Sequence, residues 1–244
     1  MESSKQKLDL LVMGAHPDDA ELGAGATIAK EVSLGKKVGI LDFTRGELGT
    51  RGTVETRDEE SALAAKILGV ALRENMNFKD GFFVNDEWHQ RALIQKIRAY
   101  RPEVVICNAV ADRHIDHAKG SKLASDACFL SGLAKIQTFD EAGVSQPAWR
   151  PLRVYHMIQW HDLEPDFVVD VSEFIELKFK AIQAYATQFF DANSKEPQTP
   201  ISSENFLSSI RYRAQNLGRV TGVAFGEGFT VERYPLVDSL DALK

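Results

Sequence analysis

The feature that most constrains this chain is an alternation of two periodicities, short apolar runs exchanging with stretches patterned for helices. LDLLVMGA (8–15) has the composition of a strand buried on both faces. Residues 21–34 then place Leu22, Ala26, Ile28, Ala29 and Val32 at helical spacing, and Gly35 ends the run. KVGILDFT (37–44) predicts a second strand, and 57–68, with Leu63, Ala64, Ile67 and Leu68, a helix stopped by Gly69. A third strand is expected near 73–78, then a turn at Lys79-Asp80-Gly81, a helix over 88–100 broken by Pro102, and a buried strand VVICNAV (104–110). Strands separated by helices of this length build βαβ units with right-handed crossovers.

The second half is less regular. VYHMIQW (154–160) and DFVVDVS (166–172) predict strands, and Ser172 is expected to cap a helix carrying Phe174, Ile175, Leu177, Phe179, Ile182 and Tyr185. The polar segment 190–204 contains two prolines and predicts a loop, followed by a helix over about 204–217 and a strand-like, glycine-rich close. No repeat or low-complexity segment interrupts this. The expected fold class is α/β, Rossmann-like, with a mostly parallel sheet flanked by helices in a single domain over 1–244.

Composition excludes several functions. A net charge of −6 argues against a nucleic-acid or anionic-membrane partner. The N-terminal apolar run, Leu10 to Ala15, is too short for a signal-peptide core or a membrane span. Cys107 and Cys128 lie in different expected elements, which suits two reduced, buried thiols. A cytoplasmic enzyme is expected.

In an open parallel sheet, ligands bind beyond the carboxyl ends of the strands, and the polar clusters of this chain follow strands. The first is His16-Pro17-Asp18-Asp19-Ala20-Glu21. Pro17 stiffens the loop, so His16 and Asp19 can face one ion with Asp18 beside it. Helix capping accounts for one aspartate but not for the histidine and a second acid. The second cluster is Asp112-Arg113-His114-Ile115-Asp116-His117, expected in a polar loop. Its two histidines can serve as a ligand and an acid–base partner. The third runs from Thr44 to Thr53 and continues to Arg57 and Glu60. Arg45 and Arg51 fit a solvated loop as well as a substrate contact; Glu47 and Glu60 fit substrate contacts or local ion pairs. Arg57 stands at a helix start, where a cation opposes the dipole, which favours a task for it. Gly23-Ala24-Gly25 with Asp42 resembles a dinucleotide fingerprint, but position 28 is Ile and the phosphate turn is filled with carboxylates, so that reading fails. His156 and His161 are assigned to strand surfaces, and Trp149 and Trp160 to the core.

On His16-Pro17-Asp18-Asp19, Thr56-Arg57 with Glu60, and His114-Ile115-Asp116-His117, the chain resembles the PIG-L/LmbE superfamily of zinc-dependent N-acetylglucosamine deacetylases. Gln188-Phe189 and Gly226-Glu227-Gly228-Phe229 extend the likeness. Asp80-Gly81-Phe82, Asp112-Arg113-His114 and Trp149-Arg150-Pro151 are most similar to its bacillithiol-biosynthesis branch. The resemblance implies zinc held by His16, Asp19 and His117, with Asp18 as general base. It makes His114 the group that stabilises the oxyanion or protonates the amine, Asp116 the orienter of His114, and Arg57 a substrate contact. It also implies a homo-oligomer and, in that branch, N-acetylglucosaminyl malate as substrate. Arg57, Arg45 or Arg51 would hold the malate carboxylates. Some relatives carry a tyrosine where Asp112 stands, so a tyrosine-assisted oxyanion role is not carried over at that position, and the branch often has a tyrosine or similar polar residue where Phe225 stands.

Two histidines and a carboxylate also suit ferrous iron, so Zn2+ is the expected metal and Fe2+ the alternative. His114 is expected to be protonated, a form Asp116 would favour. Competing readings are a deacetylase or amidase for another amino sugar, such as a chitooligosaccharide or thiol conjugate, and a non-catalytic sugar- or metal-binding module.

Overall fold

The computed structural model describes residues 7–242. β1 (Leu10–Gly14), β2 (Val38–Asp42), β3 (Leu72–Asn75), β4 (Val104–Cys107) and β5 (Arg153–Met157) pair in parallel, linked by α1 (Asp19–Ser33), α2 (Val54–Leu68), α3 (Glu87–Tyr100) and α4 (Ile115–Ser131). β6 (Phe167–Asp170), α5 (Ile175–Gln183), α6 (Glu204–Thr221) and β7 (Gly226–Val231) complete the sheet, in the order β3-β2-β1-β4-β5-β7-β6. β7 alone runs against its neighbours. The α/β, mostly parallel architecture expected from the alternation is the one observed.

The continuous apolar runs are explained by burial on two sides. Leu10 and Val12 of β1 face a core built with Ile28, Ala64, Ile182 and Tyr185 from α1, α2 and the α5 region. Leu11 and Met13 face a second core with Phe43, Leu93, Ile97 and Ala124 from the α3 and α4 side. Gly23 lets α1 approach the sheet: a Cβ there would lie 2.9 Å from the Met157 Cβ. No helix among the described residues is long and apolar enough to cross a membrane.

Local chemistry sets the helix ends. α2 opens on a capping box in which Thr53 Oγ1 accepts the Thr56 N–H at 3.2 Å and Thr56 Oγ1 accepts the Thr53 N–H at 2.8 Å. It closes on Gly69, whose φ of 73° is costly for any residue with a Cβ. Three expectations need correction. The strand at 104–110 ends at Cys107, and the polar residues beyond it turn toward α4. The supposed polar loop at 112–117 runs into that helix, so Asp116 and His117 sit on its first turn. Its cap is His114, whose Nδ1 accepts the Asp116 N–H at 3.3 Å; histidine is not among the usual capping residues. Ser172 caps nothing: α5 starts at Ile175, and the Ser172 hydroxyl bonds Asp170 and accepts the Ala224 and Phe225 N–H groups.

The chain crosses from one half of the sheet to the other between β1 and β4. β1 leads through α1 to β2 on one side, whereas β3 leads through α3 back to β4 on the other. The crevice opened at the carboxyl ends of these two strands is where a doubly wound sheet binds ligands.

Candidate active site

The turn after β1 is held by Thr44, whose N–H and hydroxyl both donate to the Ala15 carbonyl, at 3.0 and 2.9 Å. Pro17 then delivers Asp18 at φ 118°, a strained conformation for a residue with a Cβ. Asp18 occupies the N-cap position of α1 but makes no capping hydrogen bond, so capping does not explain it. Arg57 clamps this turn, its Nη2 donating to the Pro17 carbonyl at 2.7 Å and lying 3.3 Å from Asp18 Oδ2. That carboxylate offsets the cation's opposition to the α2 dipole.

The two loops, about a hundred residues apart in sequence, meet here. His117 Nε2 lies 3.1 Å from Asp19 Oδ1, and His16 Nδ1 lies 3.6 Å from Asp19 Oδ2. The far nitrogen of each imidazole faces acid. His16 Nε2 is 3.1 Å from Asp80 and 3.4 Å from Asp116, and His117 Nδ1 is hydrogen-bonded to Asp112. Carboxylates behind imidazoles in this way orient metal ligands and raise their basicity.

The third imidazole completes the group, with nitrogens of His16, His114 and His117 within 4.8 Å of one another. Because His114 Nδ1 accepts a backbone N–H, its proton resides on Nε2 and the ring is neutral. The Asp116 carboxylate does not face His114; it accepts the Gly81 N–H at 2.7 Å and the Lys119 ammonium at 2.6 Å, and faces His16. Asp116 therefore steadies His114 through its backbone, and the expected carboxylate–His114 pair is replaced by carboxylate–His16.

Electrostatics follow from crowded acid in a buried crevice. Burial pushes Asp18 up to about 7, against the pull of Arg57. Burial would likewise raise Asp19, but the charge and hydrogen bond of His117, with help from His16, hold it well below the ordinary carboxylate range. Burial opposes a charged His16, yet hydrogen bonds to Asp116, Asp19 and Asp80 lift it well above its usual value. His117, also against burial, is lifted to about 9 by Asp19 and Asp112. His114 goes the other way, lowered by burial and then by the cationic character of His16 and His117, opposite to the protonated form expected from sequence. Two imidazoles and a carboxylate, buried and backed by acid, fit a divalent transition metal.

Around this group is a cavity of about 610 Å3. His16, Asp18, Asp19, Asp80, His114 and His117 form one end; Leu22, Trp160, Ile201, Phe206 and Ile210 form an apolar wall, with Leu48 and Ile115 also lining it. Arg57, Arg113 and Arg213 are the arginines that line it. Arg57 keeps a buried Nε without a protein partner among the described residues. Arg113 lays its guanidinium over Trp160 at 4.4 Å. Arg45 and Arg51 are not brought there: Arg45 pairs with Asp58, and Arg51 is buried, donating to the Phe189 carbonyl and Ser194 hydroxyl. Glu47 braces the site from behind, accepting the Asp80 N–H at 2.8 Å, and Glu60 accepts the Thr187 N–H at 2.7 Å. His156 is buried among Cys107, Ser121 and Glu232 rather than on a surface, whereas His161 is exposed. Trp149 packs half-buried against the second core, while Trp160 is 39% exposed.

The family model for PIG-L, described as GlcNAc-PI de-N-acetylase, matches residues 11–128, the stretch that carries both loops. The chain is 35% identical over 136 residues to the uncharacterized deacetylase YaiS of Escherichia coli, covering 52% of this chain and 72% of that one. The chain belongs to the PIG-L family. The conserved protein TT1542 from Thermus thermophilus superposes on this PIG-L chain with a TM-score of 0.84 and 35% identity, covering 96% of this chain and 98% of that one. A diacetylchitobiose deacetylase from Thermococcus kodakarensis is 28% identical over 194 residues, 74% of this PIG-L chain and 70% of its own.

Two features of the site's surroundings were not legible in the sequence. Asn108 and Gln159, single carboxamides after β4 and β5, both donate to the Asp19 carboxylate. Asp80 and Asp112 were visible only as parts of motifs, since their imidazole partners are set by the fold.

Proposed function

We propose that this protein is a metal-dependent N-deacetylase that hydrolyses the acetamide of an N-acetylglucosaminyl conjugate, N-acetylglucosaminyl malate being the proposed substrate. The observation that carries the reading is the convergence of His16, Asp19 and His117 at one end of the cavity, with Asp18 beside them and nothing to cap.

His16 Nδ1, Asp19 Oδ1 and His117 Nε2 would hold the ion, zinc first and ferrous iron as the alternative. When bound, a divalent ion supplies a Lewis acid that acidifies water and polarises the acetyl carbonyl. Asp18 takes the proton of the attacking water and returns it to the leaving amine; its burial keeps the carboxyl poised near 7, suited to both transfers. His114, neutral with its proton on Nε2, donates to the developing oxyanion. Arg57 holds Asp18 in line and, as a residue lining the cavity, is the proposed substrate contact. For the malate carboxylates, the arginines that line the cavity, Arg113 foremost, replace Arg45 and Arg51. The apolar wall and the Thermococcus relative favour a second reading, deacetylation of a chitooligosaccharide.

Metal content of the purified protein, paired with deacetylation assays before and after chelation, tests the proposal. Loss of turnover on chelation and recovery with zinc supports it, and turnover independent of metal overturns it. Preference for N-acetylglucosaminyl malate over free N-acetylglucosamine supports the malate assignment; equal turnover of the two removes it.

A further inference from the structure

We infer that Asn108 and Gln159 are positioning residues for Asp19: together they occupy its carboxylate so that one lone pair, on Oδ1, is left for a cation. This rests on the metal-centre reading above. A carboxylate offers about four in-plane acceptor positions. On Asp19, Oδ2 accepts the His16 N–H at 2.9 Å and Asn108 Nδ2 at 2.9 Å. Oδ1 accepts Gln159 Nε2 at 2.8 Å, and its remaining side faces His117 Nε2 at 3.1 Å.

Both carboxamides are locked so that only nitrogen can face Asp19. Asn108 Oδ1 accepts the backbone N–H of Ala15 at 2.8 Å, which turns its Nδ2 toward Asp19 and toward Gln159 Oε1, 2.9 Å away. Gln159 Oε1 also accepts the backbone N–H of Ala109 at 3.0 Å, which leaves Nε2 for Asp19. Backbone N–H groups cannot accept, so neither amide can flip without stranding a buried donor. Asn108 is fully buried and Gln159 is 8% exposed. The Gln159 backbone is held in turn from α6, where Arg213 donates to the carbonyls of Gln159 and Trp160. The free lone pair of a ligand on α1 is thus aimed by the ends of β4 and β5.

The test uses cobalt(II) as probe on metal-free protein, with affinity from chelator competition and geometry from the visible absorption of the bound ion. Gln159→Glu sets an oxygen against Asp19 Oδ1, Gln159→Met removes the donor at similar size, and Asn108→Asp sets an oxygen against Oδ2. Each is expected to bind cobalt about 10- to 100-fold more weakly, with an altered spectrum, while the metal-free far-ultraviolet circular dichroism stays that of the wild type. Gln159→Met carries the test if either acidic variant fails to fold. Wild-type cobalt affinity and spectrum in Gln159→Met, with only the metal-free melting midpoint lowered, would mean a purely structural role and overturn the inference. Failure of the wild-type protein itself to bind cobalt overturns the metal-centre reading instead, so the two failures are distinct.

Discussion

In the proposed mechanism Asp18 and His114 divide the proton chemistry by their surroundings. One is a carboxyl that burial makes hard to ionise, the other an imidazole that burial and two neighbouring rings make hard to charge. Asp18→Asn keeps size and removes the base; we expect turnover to fall about 10^2- to 10^4-fold with metal content unchanged, measured by steady-state assay and metal quantification. His156 provides a pH prediction away from the metal group. Burial opposes its charge, but Cys107 and the Glu232 carboxylate lift it from 6.5 to about 10. A group raised on folding contributes fully below its unfolded value and loses that contribution as pH climbs to the folded one. Urea midpoints of the wild type should therefore decline between about pH 6.5 and 10, and those of His156→Gln should decline less over that range. At this scale, His16, Asp18, Asp19, His114 and His117 were legible because each pair lies within a few residues. Asn108, Gln159 and the true partners of Arg45 and Arg51 were not, because they meet only after strands and loops distant in sequence are placed side by side.

Three elements meet at Glu227 of β7. Its carboxylate accepts the Ala26 and Thr27 N–H groups inside α1, at 3.2 and 2.7 Å, and pairs with Lys178 of α5 at 2.6 Å. Glu227 and Lys178 are both 3% exposed, so Glu227→Ala leaves an ammonium buried without a counter-charge. We expect it to cost about 3–5 kcal/mol, read from denaturant unfolding. The helices with ordinary caps and periodicity were legible. α4 was not, since its cap is a histidine and its buried face sets Leu123 and Cys128 among Asp116, Gly120, Ser121, Ala124, Ala127 and Ser131, small and polar residues that blur the apolar stripe.

For the whole molecule, a centre assembled from loops after β1 and β4 exists only when the sheet has formed. If that centre holds metal as proposed, metal stabilises the folded state against the unfolded one. Saturating zinc at about 1,000 times its Kd should add about 4 kcal/mol. The melting midpoint should rise with zinc, fall on chelation, and respond to neither in His117→Ala. The parallel half of the sheet could be read from alternation, but the reversal of β7 could not, because insertion between β5 and β6 depends on pairings that no local pattern encodes. That insertion has a consequence for biosynthesis. β6 leaves the ribosome some sixty residues before the strand that must lie beside it, since its ladder partner β7 follows it with α5 and α6 between them. Until then the growing chain exposes two unzipped edges, on β5 and on β6, so chains stopped at Gly222 should remain protease-sensitive and prone to clump in a pulse-proteolysis assay.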